Sequence, residues 1–138
     1  MRKYIFIGFG GVLGAILRYL IKEMHIINFH EKLPLHTLIV NITGSFILVL
    51  ILTIAFDIWR IDTSIRLGVT AGFLGAYTTF STLCKETVVL LQQGFYYSAI
   101  FYIILSILLG LTAAYLGFIA ARRVVSKLVK KGMEGGVE

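Results

Sequence analysis

Glycine and hydroxyl residues crowd one apolar stretch, Gly72-Phe73-Leu74-Gly75-Ala76-Tyr77-Thr78-Thr79-Phe80-Ser81-Thr82. A lipid-facing helix has no use for these residue types together, so the run should face a partner, an ion or a pore. Glycine is a poor helix former, and Ser or Thr can bond back to carbonyls of the preceding turn. A membrane helix through this run is expected to break midway. Irregular backbone survives at that depth only where protein or a water-filled cavity covers it. The stretch is the expected functional centre.

Other polar residues sit within apolar runs, and each has a plain and a functional reading. Asn41, followed by Thr43, Gly44 and Ser45, either glues helices together or presents two amide donors to an anion stripped of water. Arg18 either snorkels to the interface or concentrates anions at a pore mouth. Glu86 follows Thr82 and Thr79 at helical spacing, so the three share a face. Glu86 and its neighbour Lys85 are interfacial in one reading and vestibular in the other. Tyr102, Ser106 and Gly110 are spaced by four, as a polar track or as ordinary helix packing. His25, His30 and His36 surround the first loop without the spacing of a zinc site, and a solvated loop is expected. No nucleophile elbow, phosphate loop or HExxH appears, so no enzyme is expected.

The elements that must carry these residues follow from composition. Of 138 residues, 58% are hydrophobic and 14% charged, with a mean hydropathy of +0.90. Soluble domains carry about 25% charged residues. This is therefore a membrane composition, expected as an all-α protein in a single domain. Cys84 stands alone, which excludes an intramolecular disulfide and reads as a small helix residue. The net charge of +6 gathers at the ends of apolar runs, which indicates membrane topology and no nucleic-acid partner. Met1-Arg2-Lys3 before an apolar run resembles a signal peptide. Arg18 inside that run, with no small-residue cleavage site after it, argues for a retained span.

A spanning helix needs about 20 apolar residues. Four spans are predicted, over residues 4–21, 35–56, 67–91 and 95–121, with a basic tail over 122–138 read as frayed helix. Gln92-Gln93-Gly94 is the turn between the last two. Trp59, Tyr96 and Tyr97 mark interfaces. Four spans put both termini and the middle loop on one side. That side holds Arg2, Lys3, Arg60, Arg66, Arg122, Arg123, Lys127, Lys130 and Lys131, against Lys22 and Lys32 opposite. Both termini are thus expected in the cytoplasm, at a plasma (bacterial or archaeal inner) membrane. Small pairs at helical spacing, Gly10 with Gly14, Gly68 with Gly72, Gly110 with Ala114 and Ala113 with Gly117, allow close helix approach. So thin a bundle is expected to oligomerise.

Taken together, Gly11-Val12-Leu13-Gly14 with Leu17-Arg18-Tyr19, Thr37-Leu38-Ile39-Val40-Asn41 with Gly44-Ser45, and the central run with Glu86 beyond it resemble the small fluoride channels called Fluc, or CrcB. The resemblance runs from about Gly8 to Gly117. It implies an antiparallel dual-topology dimer with two pores and a third helix broken at the central run. It further implies one structural sodium ion at the dimer interface, held by the backbone carbonyls of Gly75 and Thr78 from both subunits. Along the anion pathway it places Asn41, Phe80, Ser81, Thr82, Tyr102 and Ser106, to which the reading of Arg18 as a cation at the mouth is added. An aromatic ring has a positive edge, so Phe80 could line an anion path without trapping the ion. The family usually carries a second phenylalanine where this chain has Leu83, and some members a serine where it has Gly110. Leu83 and the charge bias raise a heterodimer with a second homologous chain as an alternative to the homodimer. The expected function is passive export of toxic fluoride. Its rivals are a small proton-coupled multidrug exporter, which needs a carboxylate deep in span one, and a non-transporting assembly subunit.

Overall fold

The computed structural model describes residues 1–23, 33–57 and 62–134, the side chains of 56, 57 and 127–134 excepted. His25, His30, Lys32, Trp59 and Arg60 lie outside the described residues. Helix α1 is Arg2–Glu23 and α2 is Leu35–Asp57. Pro34 directly precedes α2, where its missing N–H costs nothing, and its carbonyl accepts from Leu38 N–H at 3.5 Å.

The third crossing is built from pieces. Helix α3, Thr63–Leu67, is capped by Asp62, whose carboxylate accepts from Ser64 N–H at 2.9 Å. It runs into a π-helical segment, Gly68–Leu74, and then into α4, Gly75–Tyr77. The chain is extended at Thr78 (φ −76°, ψ 157°) and Thr79 (φ −150°, ψ 121°) before α5, Phe80–Gln92, begins. A turn with Gly94 at φ +81° leads into α6, Tyr96–Glu134, of 39 residues. Among the described residues no strand occurs. Three of the described helices are long and apolar enough to cross a bilayer alone, and the broken rod α3 to α5 supplies the fourth crossing. The expected all-α membrane architecture is observed, with the interruption falling between Tyr77 and Phe80.

Two glycine-lined contacts hold these crossings together. A Cβ placed on Gly10 would collide with Gly68 O, and one on Gly14 with Phe73 O. In return, a Cβ on Gly72 would lie 2.5 Å from Ile7 O and one on Gly68 2.9 Å from Phe6 O. Backbone therefore meets backbone between α1 and the π-helical segment, which only glycine permits. On the other side, a Cβ on Gly117 would lie 2.5 Å from Phe46 O. Tyr102 shares a core with Leu38 further along the same pair, so α6 runs parallel to α2. Lys22, Leu33, Pro34 and Gln93 line one groove at one end of the bundle. Arg2 and Asp62 meet electrostatically at the other. Outward-facing Phe9, Val12 and Ile16 on α1, and Ile100, Ile107 and Leu111 on α6, are exposed, as helices in lipid require.

Candidate functional site

Asn41 of α2 closes on the interruption. Its Nδ2 donates to Thr79 O at 2.9 Å and its Oδ1 accepts from Thr79 N–H at 2.8 Å. The partners fix the amide orientation, since one is a carbonyl and the other an N–H. With Thr79 N–H committed to Asn41, Gly75 O loses the donor that a continuing helix would bring it. Thr78 stays tied to the turn before, its N–H and its hydroxyl both donating to Leu74 O, at 3.0 and 2.9 Å. Asn41 thus replaces a missing helical turn, and it spends one amide donor and its acceptor doing so.

Thr79 also starts the second half of the crossing. Its Oγ1 accepts from Thr82 N–H at 3.2 Å and donates to Thr82 Oγ1 at 2.9 Å. Ser81 Oγ lies 3.3 Å from the same oxygen. Because Thr82 Oγ1 already accepts, its own proton is left for a ligand. The amides of the first turn of α5 lack helical partners and carry the positive end of the helix dipole. The junction thus presents hydrogen-bond donors, with Arg18 and Lys22 in the adjoining cleft.

Two clefts flank this point. One, of about 310 Å³, is lined by Arg18, Tyr19 and Lys22 of α1, His36 and Thr37 of α2, and Thr79, Thr82 and Glu86. The other, of about 300 Å³, is lined by Asn41, Ser45, Gly75, Thr78, Thr79 and Phe80, among others. Thr79 lines both, and Asn41, bonded to it, lines the second. Glu86 faces the first cleft with both carboxylate oxygens engaged. Thr37 Oγ1 donates to Oε1 at 2.9 Å and Tyr102 OH to Oε2 at 2.8 Å. Arg18 is half-buried and shares that cleft with Glu86.

The remaining predicted positions are spread more widely. Phe80 is 79% exposed, beside the second cleft, and Ser81 and Gly75 are also exposed. A Cβ on Gly75 would find no atom nearer than Thr70 O at 3.8 Å, so that backbone is open to an approaching surface. Tyr102 is 1% exposed with its proton on Glu86. Ser106 Oγ donates to Tyr102 O at 2.7 Å. These two hydroxyls are therefore engaged within the chain. Leu83 packs into the core formed by Leu38, Leu90, Ala99 and Tyr102. Sequence reasoning assigned no role to Thr37, His36 or Lys22, which the fold brings to the first cleft. One available signal was the spacing of Thr37 and Asn41, four apart on one face of α2.

Fold and site together define a helical membrane protein of four crossings, the third interrupted and clamped by an amide from the second. The family profile described as CrcB-like protein, Camphor Resistance (CrcB), matches residues 5–118. A relative named fluoride-specific ion channel FluC from Sulfurihydrogenibium sp. is 40% identical over 88% of this chain and 98% of its own length. The protein of that name from Vibrio parahaemolyticus is 41% identical over 82% of this chain and 89% of its own length. The one from Shewanella pealeana is 36% identical, over 85% and 94% respectively. The chain belongs to the CrcB family.

Proposed function

We propose that this chain is a passive fluoride channel that lets toxic intracellular fluoride leave across the plasma membrane. The observation that carries the reading is the Asn41–Thr79 pair at 2.8 and 2.9 Å, at a helix interruption flanked by two clefts that share Thr79. The names of relatives at 36–41% identity support the choice of ion. Outside an acidified cell, fluoride enters as the neutral weak acid and dissociates within. A membrane potential, negative inside, then drives the anion out with about 2.3 kcal/mol for each 100 mV. No nucleotide or proton coupling is required.

In this reading Arg18 and Lys22 draw the anion into the first cleft, where Glu86 keeps the field from becoming a trap. The Thr82 hydroxyl proton, the Phe80 and Ser81 amides at the start of α5 and the remaining Asn41 donor then replace water around a small, strongly hydrated ion. Phe80 offers a ring edge on the far side of the clamp, with Ser81 beside it. Tyr102 and Ser106 act by holding Glu86 and each other.

The working unit is an antiparallel dimer, a homodimer or a pair with a homologous chain, in which the exposed Phe80 and Gly75 of one protomer meet the other. The carbonyls of Gly75 and Thr78 fit a sodium ion at that junction. Gly75 O is relieved of its helical donor, Thr78 is extended, and a hard cation takes oxygen ligands. Such an ion would supply charge that ties the two interrupted crossings together. Fluoride efflux from liposomes should fall at least tenfold in Asn41→Ala and in Phe80→Ile while both variants keep the wild-type oligomeric state. Unchanged efflux in both would refute this path.

A further inference from the structure

The family match ends at residue 118, yet α6 continues as helix to Glu134. At about 1.5 Å per residue, 39 residues are roughly twice what a hydrocarbon core of about 30 Å needs. Its partner α2 ends at Asp57. The pairings of Leu38 with Tyr102 and of Phe46 and Leu50 with Gly117 set Asp57 level with the stretch from Ala121 to Ser126 of α6. About the last two turns of α6 therefore lie past the described residues of the helix on which it packs.

This end of α6 is not a random tail. By helical register, Arg122, Arg123, Lys127, Lys130 and Lys131 fall on one half of the helix, and Ala121, Val124, Val125, Leu128 and Val129 on the other. Ala121 is fully buried and Val125 half-buried, whereas Arg122 and Arg123 are exposed. Arg122 places its guanidinium 5.2 Å from the ring centre of Phe118, one turn back. It thus leans toward the membrane segment, as side chains do on a helix leaving the bilayer at its C-terminal end. Arg2 and Lys3 open α1 at the same end of the bundle.

We propose that the basic half of this extension holds the anionic phospholipid headgroups of the leaflet from which α6 emerges. A polybasic segment directly continuous with a membrane crossing sits within reach of the surface potential of such lipids. The opposite half, buried at Ala121 and half-buried at Val125, keeps it there. This surface is independent of the ion path and goes beyond the channel reading.

The test uses the full chain in nanodiscs, with trypsin cleavage after Arg122, Arg123, Lys127, Lys130 and Lys131 as readout. Cleavage should be about tenfold slower in discs rich in phosphatidylglycerol than in phosphatidylcholine alone, given roughly fivefold per basic residue near such a surface. High salt should abolish the difference. In the triple variant Lys127→Gln, Lys130→Gln, Lys131→Gln, whose residues keep helix propensity, the lipid effect on cleavage after Arg122 and Arg123 should shrink several-fold. Equal rates in the two lipids would overturn the proposal. So would protection by an added soluble polyanion in neutral discs without any from anionic lipid, which would point to an acidic macromolecule.

Discussion

Asn41 and Thr79, separated by 38 residues, are joined by two hydrogen bonds that satisfy both sides of one peptide unit's worth of polar groups. The pair converts a break in a membrane helix, which hydrocarbon would not tolerate, into a defined structure. Asn41→Ala leaves Thr79 N–H and C=O without these partners. It should lower stability by about 2–4 kcal/mol, from two lost bonds and the stranded groups. Thermal melting in detergent checks this. Asn41→Asp keeps the acceptor but sets a second acceptor oxygen against Thr79 O, so it should cost at least as much.

Glycine positions on α1 divide sharply. Gly14→Ala drives a methyl group into Phe73 O, and Gly10→Ala one into Gly68 O. Each should destabilise by about 1–3 kcal/mol, since backbone must move to admit the added carbon. Gly8→Ala and Gly11→Ala meet nothing within 4 Å and should be neutral, or stabilising by about 0.5–1 kcal/mol through helix propensity. Melting temperatures of the four variants give the comparison.

Glu86 receives Thr37 and Tyr102 from two different helices. Tyr102→Phe and Thr37→Val should each cost about 1–3 kcal/mol, because a carboxylate loses a donor. Their effects should be non-additive by about 0.5–3 kcal/mol in a double-mutant cycle, since both act on one carboxyl group. Strict additivity would mean that the two donors act separately.

Asp62 caps the start of the third crossing, and the Ser64 backbone N–H holds its carboxyl below the ordinary aspartate range. A folded-state pKa below the unfolded one adds stability above the unfolded value that is lost as pH falls through the folded value. The wild type should therefore lose stability relative to Asp62→Asn as pH drops below about 4. The effect should be small, because the group is exposed. Melting curves across that range for the two proteins decide it.

Much of the architecture was legible because lipid imposes simple rules. Apolar length marked the crossings, Gln92-Gln93-Gly94 marked the last turn, and glycines beside hydroxyls marked the interruption. The small pair Gly10 and Gly14 signalled a close contact, although its partners Gly68 and Phe73 required the fold. What the chain alone could not show were relationships between distant residues. Nothing in the spacing of Asn41 says that its amide is spent on Thr79. Glu86 had two open readings until Thr37 and Tyr102 were seen to converge on it. The π-helical segment Gly68–Leu74 carries no distinct signature, because the extra residue per turn leaves hydrophobicity unchanged.

Arg18 tests the approach to the site. Arg18→Gln should lower fluoride efflux several-fold at low ionic strength and much less at high salt, because a charge at a mouth acts through a screened field. A salt-independent loss would point to packing instead.

The most direct measurement is anion efflux from liposomes containing the wild-type protein, with the potassium permeability supplied by an ionophore and the released anion read by a selective electrode. Fluoride should leave rapidly and chloride should not, in the same vesicles, with no proton gradient imposed. A well-folded protein that releases no fluoride, or that releases chloride equally fast, would contradict the channel assignment.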